Sequence, residues 1–333
     1  MALLILSDDL TGAAGVASML GLPGVATLSL EELERGPAVG FSCVAVNLDT
    51  RERGAAEANR RTSRAVRTAG EDLVAARIDS ALRGHVAVLV GAVARAARGE
   101  KGVLVTDTIP EYGRLTASGR TVLGAQQRDI AQLLAPLLEE GLRVSVVDSE
   151  TDRDLDALAL RCVEEGLTPV DPGPLVARVV RRRLGADGTV PAGRRAPSES
   201  VAFVVGTGDP RTVEQIRYLG DLGFPVQKPR VKRAEEVDVF SFSIGREKDL
   251  VTGAFLEQLR AYDALVLSGG ATANHVLERA GTRRLLNDGQ VQPLVSSGVV
   301  SGGVLDGKRV VLKGGSIGDD KTYKTILDWL RRG

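Results

Sequence analysis

The sequence predicts an α/β protein of two domains, each a mainly parallel sheet flanked by helices. Short apolar runs alternate with longer stretches of helical periodicity, which is the pattern of repeated βαβ units. The chain has 333 residues, whereas a single hydrophobic core stops growing at roughly 250 to 300. A stretch rich in Gly and Pro at 185–200 interrupts the alternation and is the predicted linker. We therefore expect one domain over residues 1–190 and a second over 200–333.

In the first half, five apolar runs match buried parallel strands. These predicted strands lie at 3–6, 44–46, 73–78, 103–105 and 144–147. Apolar residues recur at helical spacing in the stretches rich in Ala, Arg, Glu and Leu that separate or follow them. The predicted helices lie at 54–69, 86–97, 126–140 and 174–184.

The second half repeats the same order of strand, loop and helix. Strands are predicted at 201–205, 264–267 and 309–312, and a helix is predicted at 211–222. This half is therefore expected to form the second α/β domain.

The charge balance argues against a nucleic-acid partner. Lys plus Arg and Asp plus Glu number 43 each, so no net field attracts polyanions over long range. Cys43 and Cys162 lie in apolar stretches and are too few for a disulfide framework or a zinc site. No segment reaches the roughly 18 apolar residues of a membrane span, and residues 1–6 lack the basic start of a signal peptide. We expect a cytoplasmic protein without nucleic-acid or membrane partners.

Polar residues follow every predicted strand of the first half, and ligands of open parallel sheets bind at these carboxyl ends. Carboxylates, hydroxyls and arginines occupy the segments 7–13, 47–51, 79–84, 108–114 and 148–152. Any single Asp or Thr here also suits a helix cap, and that alternative stays open. Capping does not explain Arg51, Arg83 and Arg114, because arginine carries donors that suit carboxylate or phosphate. These arginines favour an anionic ligand.

Asp8 and Asp9 are adjacent carboxylates directly after the first predicted strand. Two neighbouring carboxylates can share a site, where one accepts the proton of a hydroxyl and the other binds substrate. The pair alone is a common feature, so helix capping remains the competing interpretation.

Glycine loops follow all three predicted strands of the second half, in the segments 206–208, 268–273 and 313–319. Free backbone N–H groups in such loops, together with a helix N-terminus, favour phosphate. Lys313 adds a positive charge beside the last loop. The Walker A pattern is absent, and no dinucleotide fingerprint follows Leu6. An ordinary P-loop NTPase or a dinucleotide dehydrogenase is therefore disfavoured.

Six segments together resemble the four-carbon acid sugar kinase family, in order and in spacing. They are LSDDLTGAAGVA from Leu6, RIDSALRGH from Arg77, IPEYGR from Ile109, VDSETDRDL from Val147, LVLSGGATA from Leu265 and LKGGSIGDD from Leu312. The resemblance implies an N-terminal sugar-acid-binding domain, a C-terminal nucleotide-binding domain and an active site in the cleft between them. It also implies ATP-dependent phosphorylation of threonate, erythronate or their 3-oxo forms, with Mg²⁺ accompanying ATP, and a homodimer.

The resemblance also implies roles for individual residues. Asp8 and Asp9 would lie at the reacting hydroxyl, and one of them would accept its proton during attack on the γ-phosphate. The residues implied to position the substrate are Arg51, Asp79, Arg83, Tyr112 and Arg114. The residues implied to hold the nucleotide are Gly206, Ser268, Gly269, Gly270, Thr272, Lys313, Gly314, Gly315 and Gly318. No metal ligand is assigned.

Two residues depart from the family pattern. Ala271 stands where many members have Asp after the paired glycines, and His85 stands in place of the usual Asn. They lie in a nucleotide loop and in a substrate loop, respectively. Two alternatives therefore stay open: a kinase of another short hydroxy acid such as glycerate, and a catalytically silent sensor of a sugar acid or nucleotide.

Overall fold

The computed structural model describes residues 2–36, 38, 40–97, 101–186, 196–224, 226–227, 237–242 and 250–332. The chain divides into two compact units, Met1–Val190 and Pro191–Gly333. Residues 187–195 of the predicted linker lie outside the described residues. Each unit has its own set of strands and its own hydrophobic core.

Unit 1 alternates strands with helices. Its strands are β1 (Leu3–Ser7), β2 (Val25–Ser29), β3 (Cys43–Asn47), β4 (Leu73–Arg77), β5 (Val103–Val105), β6 (Arg114–Ala117), β7 (Arg120–Leu123), β8 (Gln126–Asp129), β9 (Val144–Val146) and β10 (Thr168–Asp171). Its helices are α1 (Leu10–Met19), α2 (Leu30–Arg35), α3 (Ala55–Ala69), α4 (Val86–Ala96), α5 (Ile130–Glu139), α6 (Asp152–Glu164) and α7 (Pro174–Arg183).

The main strands of unit 1 run parallel in the spatial order β2-β3-β1-β4-β10-β5-β9. Alternate residues of β1 enter different cores: Leu4 and Leu6 pack in one cluster, and Ile5 packs in the other. Burial on both faces explains why these strands are continuous apolar runs. Strands β6, β7 and β8 form a separate antiparallel sheet.

The structure adds elements that the sequence did not predict in unit 1. Strand β2 was missed although it is as long as β1 and β3, and β10 was missed because its residues include Pro169 and do not form an apolar run. The helix predicted at 126–140 is wrong over its first residues, which form β8. Asp129 then begins α5, since its carboxylate accepts the N–H of Gln132 at 2.7 Å.

Unit 2 combines parallel and antiparallel pairing. Its strands are β11 (Val201–Val205), β12 (Val226–Gln227), β13 (Val237–Ser241), β14 (Ala264–Ser268), β15 (Arg284–Gln292), β16 (Val295–Ser301) and β17 (Arg309–Lys313). Its described helices are α8 (Pro210–Asp221), α9 (Gly253–Leu259), α10 (Gly270–Arg279) and α11 (Thr322–Arg332). The strands follow the order β12-β13-β11-β14-β17-β16-β15. Strands β15 and β16 form an antiparallel pair and β16 is also antiparallel to β17, whereas the other pairs among the described strands of this unit are parallel. The antiparallel pair was not predicted.

Candidate active site

Strands β1, β3 and β4 lie side by side and end at the same level. Ser7 at the end of β1 is in register with Asn47 of β3 and with Arg77 of β4. The chain builds β2 and β3 on one side of β1 and then β4 on the other side. A topological switch point therefore lies between β1 and β4, and open α/β sheets bind ligands at such a point. The residues beyond these strand ends form the candidate site of unit 1.

Arg51 joins the two carboxylates that follow β1. Its Nε lies 2.7 Å from Asp8 Oδ2, and its Nη2 lies 2.9 Å from Asp8 Oδ1. The Nη1 and Nη2 atoms also lie 2.8 and 2.9 Å from Asp9 Oδ2 and Oδ1. The three side chains are between 8% and 12% exposed. Arg51 therefore places its donors on protein carboxylates and fixes their positions.

Arg77, the last residue of β4, is a site residue that sequence reasoning missed. Its Nη1 lies 3.3 Å from Asp8 Oδ1 and 3.1 Å from Asp9 Oδ1, and its Nε donates to the Pro172 carbonyl at 3.2 Å. Gly12 leaves room for this guanidinium, because a Cβ on Gly12 would lie 2.1 Å from Arg77 Nη1. The available signal was a charged residue at the end of an apolar strand, where a buried charge needs a partner.

Asp9 has a second role as the N-cap of α1. Its Oδ1 accepts the Gly12 N–H at 2.9 Å, and its Oδ2 accepts the Thr11 hydroxyl at 2.6 Å. The capping interpretation is therefore correct for Asp9 and coexists with the ion pairs. Asp8 makes no capping contact among the described residues, since its carboxylate oxygens accept hydrogen bonds there only from Arg51 and Arg77.

Asp79 and Arg83 form a neighbouring ion pair beyond β4. Arg83 Nε and Nη2 lie 2.8 and 2.9 Å from Asp79 Oδ2 and Oδ1. Asp79 Oδ1 also lies 3.4 Å from Arg51 Nη2, which links this pair to Asp8 and Asp9. The Asp79 side chain is 3% exposed, whereas that of Arg83 is 55% exposed. Arg83 is thus the cluster arginine whose guanidinium is open to solvent.

Burial and charge act differently on the two carboxylates Asp8 and Asp79. Burial raises the pKa of Asp8, with the Asp9 charge in the same direction, and the attraction of Arg51 and Arg77 only partly opposes it. Burial also acts to raise the pKa of Asp79, but the Arg83 hydrogen bonds and the Arg51 charge outweigh it and hold that pKa well below its usual range. Asp79 is therefore a fixed anion, and Asp8 is the more basic carboxylate.

Asp107 and Arg114 form a second polar group at the end of β5. Asp107 Oδ2 accepts the Thr121 hydroxyl and lies 3.5 Å from Arg114 Nη1, while its buried Oδ1 has no hydrogen-bond partner among the described residues. Burial raises the pKa of Asp107 to about 7. Sequence reasoning missed Asp107. The recorded ion pair of Arg114 is with this carboxylate rather than with Asp8, Asp9 or Asp79.

Two other predicted residues lie apart from these contacts. Tyr112 ends the 3-10 turn Pro110–Tyr112, where its N–H donates to the Ile109 carbonyl at 3.0 Å. His85 precedes α4 without capping it, and its Nε2 lies 2.7 Å from the Arg53 carbonyl oxygen. His85 therefore has a structural contact of its own.

In unit 2, the three glycine loops meet around Thr207. A Cβ on Gly269 would lie 3.3 Å from Thr207 Cβ, and a Cβ on Gly315 would lie 2.6 Å from Thr207 Oγ1. The loop after β14 leads into α10 at Gly270, with Gly269 at a φ of +101° that favours glycine. Ser268 and Thr272 of this loop are buried. The structure thus brings the predicted loops together, with the start of a helix among them.

Lys313 is completely buried at the end of β17. Its Nζ lies 2.8 Å from the Gly314 carbonyl, 3.2 Å from the Gly315 carbonyl and 3.2 Å from Thr212 Oγ1. Burial lowers the pKa of Lys313 to about 7, although the Asp209 charge opposes this. Its contacts are therefore internal to the loop and to α8.

No group of three or more His, Cys, Asp or Glu side chains suited to a metal ion occurs in the described part of the chain. Mg²⁺ with a nucleotide commonly uses only one or two protein carboxylates besides phosphates and water. Asp209 lies beside the loops, since a Cβ on Gly315 would lie 3.3 Å from Asp209 Cβ, and its Oδ1 accepts the Arg211 N–H at 3.0 Å, which leaves Oδ2 for a metal ion. A carboxylate therefore borders the glycine loops.

Two family models match separate parts of the chain. Residues 3–129 match the model of a sugar-binding N-terminal domain, and residues 226–323 match that of a nucleotide-binding C-terminal domain. A D-erythronate kinase of Heliobacterium modesticaldum is 25% identical over 264 residues. That match covers 64% of this chain and 59% of the kinase, so the chain spans less than two thirds of this relative.

Solved structures show the same fold. A Salmonella typhimurium LT2 protein superposes with a TM-score of 0.72 at 16% identity, covering 97% of this chain and 98% of that one. A Haemophilus influenzae protein of family DUF1537 gives a TM-score of 0.66 at 16% identity, covering 98% and 100%. No helix among the described residues has the length and apolar character to cross a bilayer. Together the two domain matches establish that the chain belongs to the four-carbon acid sugar kinase family.

Proposed function

We propose that this protein transfers the γ-phosphoryl group of ATP to a hydroxyl of a four-carbon sugar acid of the threonate, erythronate or 3-oxo-tetronate type. The buried carboxylates Asp8 and Asp9, held together by Arg51 and Arg77, carry the proposal. They lie at the switch point of the unit that matches a sugar-binding domain. The similarity to a D-erythronate kinase supports the substrate class.

Asp8 is the better candidate for the general base. The oxygens of Asp9 are occupied by the cap to Gly12, the Thr11 hydroxyl and both arginines. Asp8 Oδ2 accepts a single recorded hydrogen bond, from Arg51 Nε, so a lone pair remains for a substrate hydroxyl. Burial also raises the pKa of Asp8, which makes it a stronger base.

The proposed reaction is an in-line displacement. The substrate oxygen forms a bond to the γ-phosphorus while the bond to the leaving ADP oxygen breaks, and the hydroxyl proton passes to Asp8 Oδ2. Asp9 and Arg51 hold Asp8 in position for this transfer. Arg83 is the proposed ligand of the substrate carboxylate, because its guanidinium is exposed while Asp79 orients it.

The glycine loops around Thr207 are the proposed nucleotide site. Their backbone N–H groups and the start of α10 would receive phosphate oxygens. Asp209 would hold Mg²⁺, which neutralises phosphate charge when it is bound with ATP. The domain match over 226–323 supports a nucleotide in this unit.

The proposal is tested by measuring ADP release when the purified protein is given ATP, Mg²⁺ and one acid of a panel. The panel comprises D- and L-threonate, D- and L-erythronate, their 3-oxo forms and glycerate, with Asp8→Asn as the inactive control. Turnover of one four-carbon acid, with the phosphorylated product identified by mass spectrometry, is the expected result. Turnover of glycerate alone would establish the kinase of another hydroxy acid. ATP binding without turnover across the panel would contradict the kinase and favour a sensor.

A further inference from the structure

The backbone carbonyl groups of the loop after β17 accept hydrogen bonds from side chains of α8. Helix α8 supplies three donors: Thr212 Oγ1 lies 2.7 Å from the Gly315 carbonyl, Arg211 Nη1 lies 2.9 Å from the Gly318 carbonyl, and Gln215 Nε2 lies 2.7 Å from the Asp319 carbonyl. Gln215 Nε2 also lies 3.1 Å from the Ile317 carbonyl. The face of α8 formed by these residues therefore anchors the loop.

Lys313 also binds backbone carbonyl groups of this loop. An ammonium group has three N–H donors, and the three recorded contacts of Nζ are the carbonyls of Gly314 and Gly315 and the Thr212 hydroxyl. The Nζ also lies 5.4 Å from the centre of the Tyr323 ring. The side chain is 0% exposed. Lys313 therefore has no donor left to offer outside the protein.

Bound carbonyls fix the direction of the following N–H groups. In a trans peptide, the C=O of one residue and the N–H of the next point in opposite directions. The anchored carbonyls of Gly314, Gly315 and Ile317 therefore turn the N–H groups of Gly315, Ser316 and Gly318 away from the side chains that bind those carbonyls, which are Lys313, Thr212 and Gln215. These three N–H groups have no acceptor among the described residues. Successive free N–H groups form an anion-binding nest.

We propose that Lys313 is a positioning residue, which orients the N–H groups of Gly315 and Ser316 toward a nucleotide phosphate by binding the loop carbonyls and does not touch the phosphate itself. The proposal rests on the proposed nucleotide site. In this role Lys313 donates hydrogen bonds to the loop carbonyls, as the uncharged side chains of Thr212 and Gln215 also do.

Binding of ADP and of adenosine to three variants tests the proposal. Lys313→Met removes the charge and the donors, Thr212→Val removes a neutral donor, and Lys101→Met removes an exposed charge in unit 1 as the control. We expect Lys313→Met and Thr212→Val to weaken ADP binding by about tenfold each, because each loosens the nest. Adenosine binding and the dependence of ADP binding on salt concentration should stay as in the unaltered protein. Lys101→Met should bind both ligands normally.

A direct phosphate contact predicts a different result. Lys313→Met would then bind ADP weakly and with a shallower salt dependence, while Thr212→Val would bind like the unaltered protein. That outcome would overturn the positioning role.

Amide hydrogen exchange, measured without nucleotide, tests the role of Lys313 independently of the proposed function. The N–H of Ile317 donates to the Gly314 carbonyl at 3.3 Å, and the N–H of Asp319 donates to Thr322 Oγ1 at 2.9 Å. Both amides should exchange on the order of tenfold faster in Lys313→Met, because the loop has lost its anchor. Unchanged exchange in a folded variant would contradict the role of Lys313. Failure of the unaltered protein to bind ADP would contradict the nucleotide site alone.

Discussion

Asp8 and Arg51 meet through two hydrogen bonds, of 2.7 Å from Nε to Oδ2 and 2.9 Å from Nη2 to Oδ1. The two residues are 43 positions apart in sequence. Because Nη2 is shared with Asp9 Oδ1, the same guanidinium fixes the spacing of both carboxylates. As the proposed base, Asp8 would need little reorganisation when it accepts a proton, because it is already fixed by Arg51, and a preorganised site favours catalysis.

Replacing Asp8 tests the assignment of the base. Asp8→Asn should lower kcat by about 10² to 10⁴ fold with a small change in KM, because proton transfer is lost while the amide oxygen still accepts one hydrogen bond from Arg51. Asp9→Asn should lower kcat by a smaller factor, because Asp9 fixes Arg51, which positions Asp8, and does not itself accept the proton. Asp156→Asn, the same change at an exposed residue of α6, is the control and should leave both parameters unchanged. If both single variants, Asp8→Asn and Asp9→Asn, kept full turnover, neither residue of this pair would be the general base.

Gly12 is expected to be indispensable to the packing of Arg77. Alanine is the better helix former by about 1 kcal/mol, but a Cβ on Gly12 would lie 2.1 Å from Arg77 Nη1 and 2.6 Å from Asp9 Oδ1. Gly12→Ala should therefore lower the free energy of unfolding by about 1 to 3 kcal/mol. Urea denaturation measures this change. Gly253→Ala, at a helical glycine with open space around it, should be neutral or stabilising.

Asp107 should make the stability of the protein depend on pH. Its folded pKa of about 7 lies above its ordinary value of 3.8, so the folded state holds a proton that the unfolded state has released. Stability associated with Asp107 is therefore complete below pH 4 and is lost as pH rises through 7. Asp107→Asn removes this loss, because the amide stays neutral.

Thermal unfolding of Asp107→Asn and of the unaltered protein, at pH 4 and pH 8, checks this expectation. The variant should be more stable at pH 8 by up to a few kcal/mol, roughly 1.4 for each unit of pKa displacement. The difference should nearly vanish at pH 4. Equal stabilisation at both pH values would show that the carboxyl does not titrate in this way.

Glycine is expected to be required at position 318 for two reasons, which are its left-handed backbone and the closeness of the Thr322 side chain. Its φ is +87°, and a Cβ there would lie 2.0 Å from Thr322 Oγ1. Gly307 has a φ of +76° with nothing near its Cβ position, so Gly307→Ala isolates the backbone strain. That strain should cost about 1 to 2 kcal/mol of unfolding free energy. Gly318→Ala should cost more and should weaken ADP binding, whereas Gly307→Ala should bind ADP normally in a calorimetric titration.

Much of the parallel framework could be predicted because strands buried on both faces are written as apolar runs, as in β1, β3 and β11. Strand β10 could not, since its four residues are Thr, Pro, Val and Asp, which do not form an apolar run. The acidic side of the site was predictable from Asp8 and Asp9 at a strand end. Arg77 was not, because its partners are 68 and 69 positions away and only the sheet order brings them together.

The ion pairs of unit 1 also bear on how an acid reaches the site. Asp8, Asp9 and Asp79 carry as many formal charges as Arg51, Arg77 and Arg83, and each carboxylate is within 3.4 Å of a guanidinium. Opposite charges this close cancel one another's field beyond a short distance. In the proposed reaction, the cluster therefore recognises the substrate anion only on contact and does not draw it in from solution. The association rate constant of the acid should accordingly change little with ionic strength.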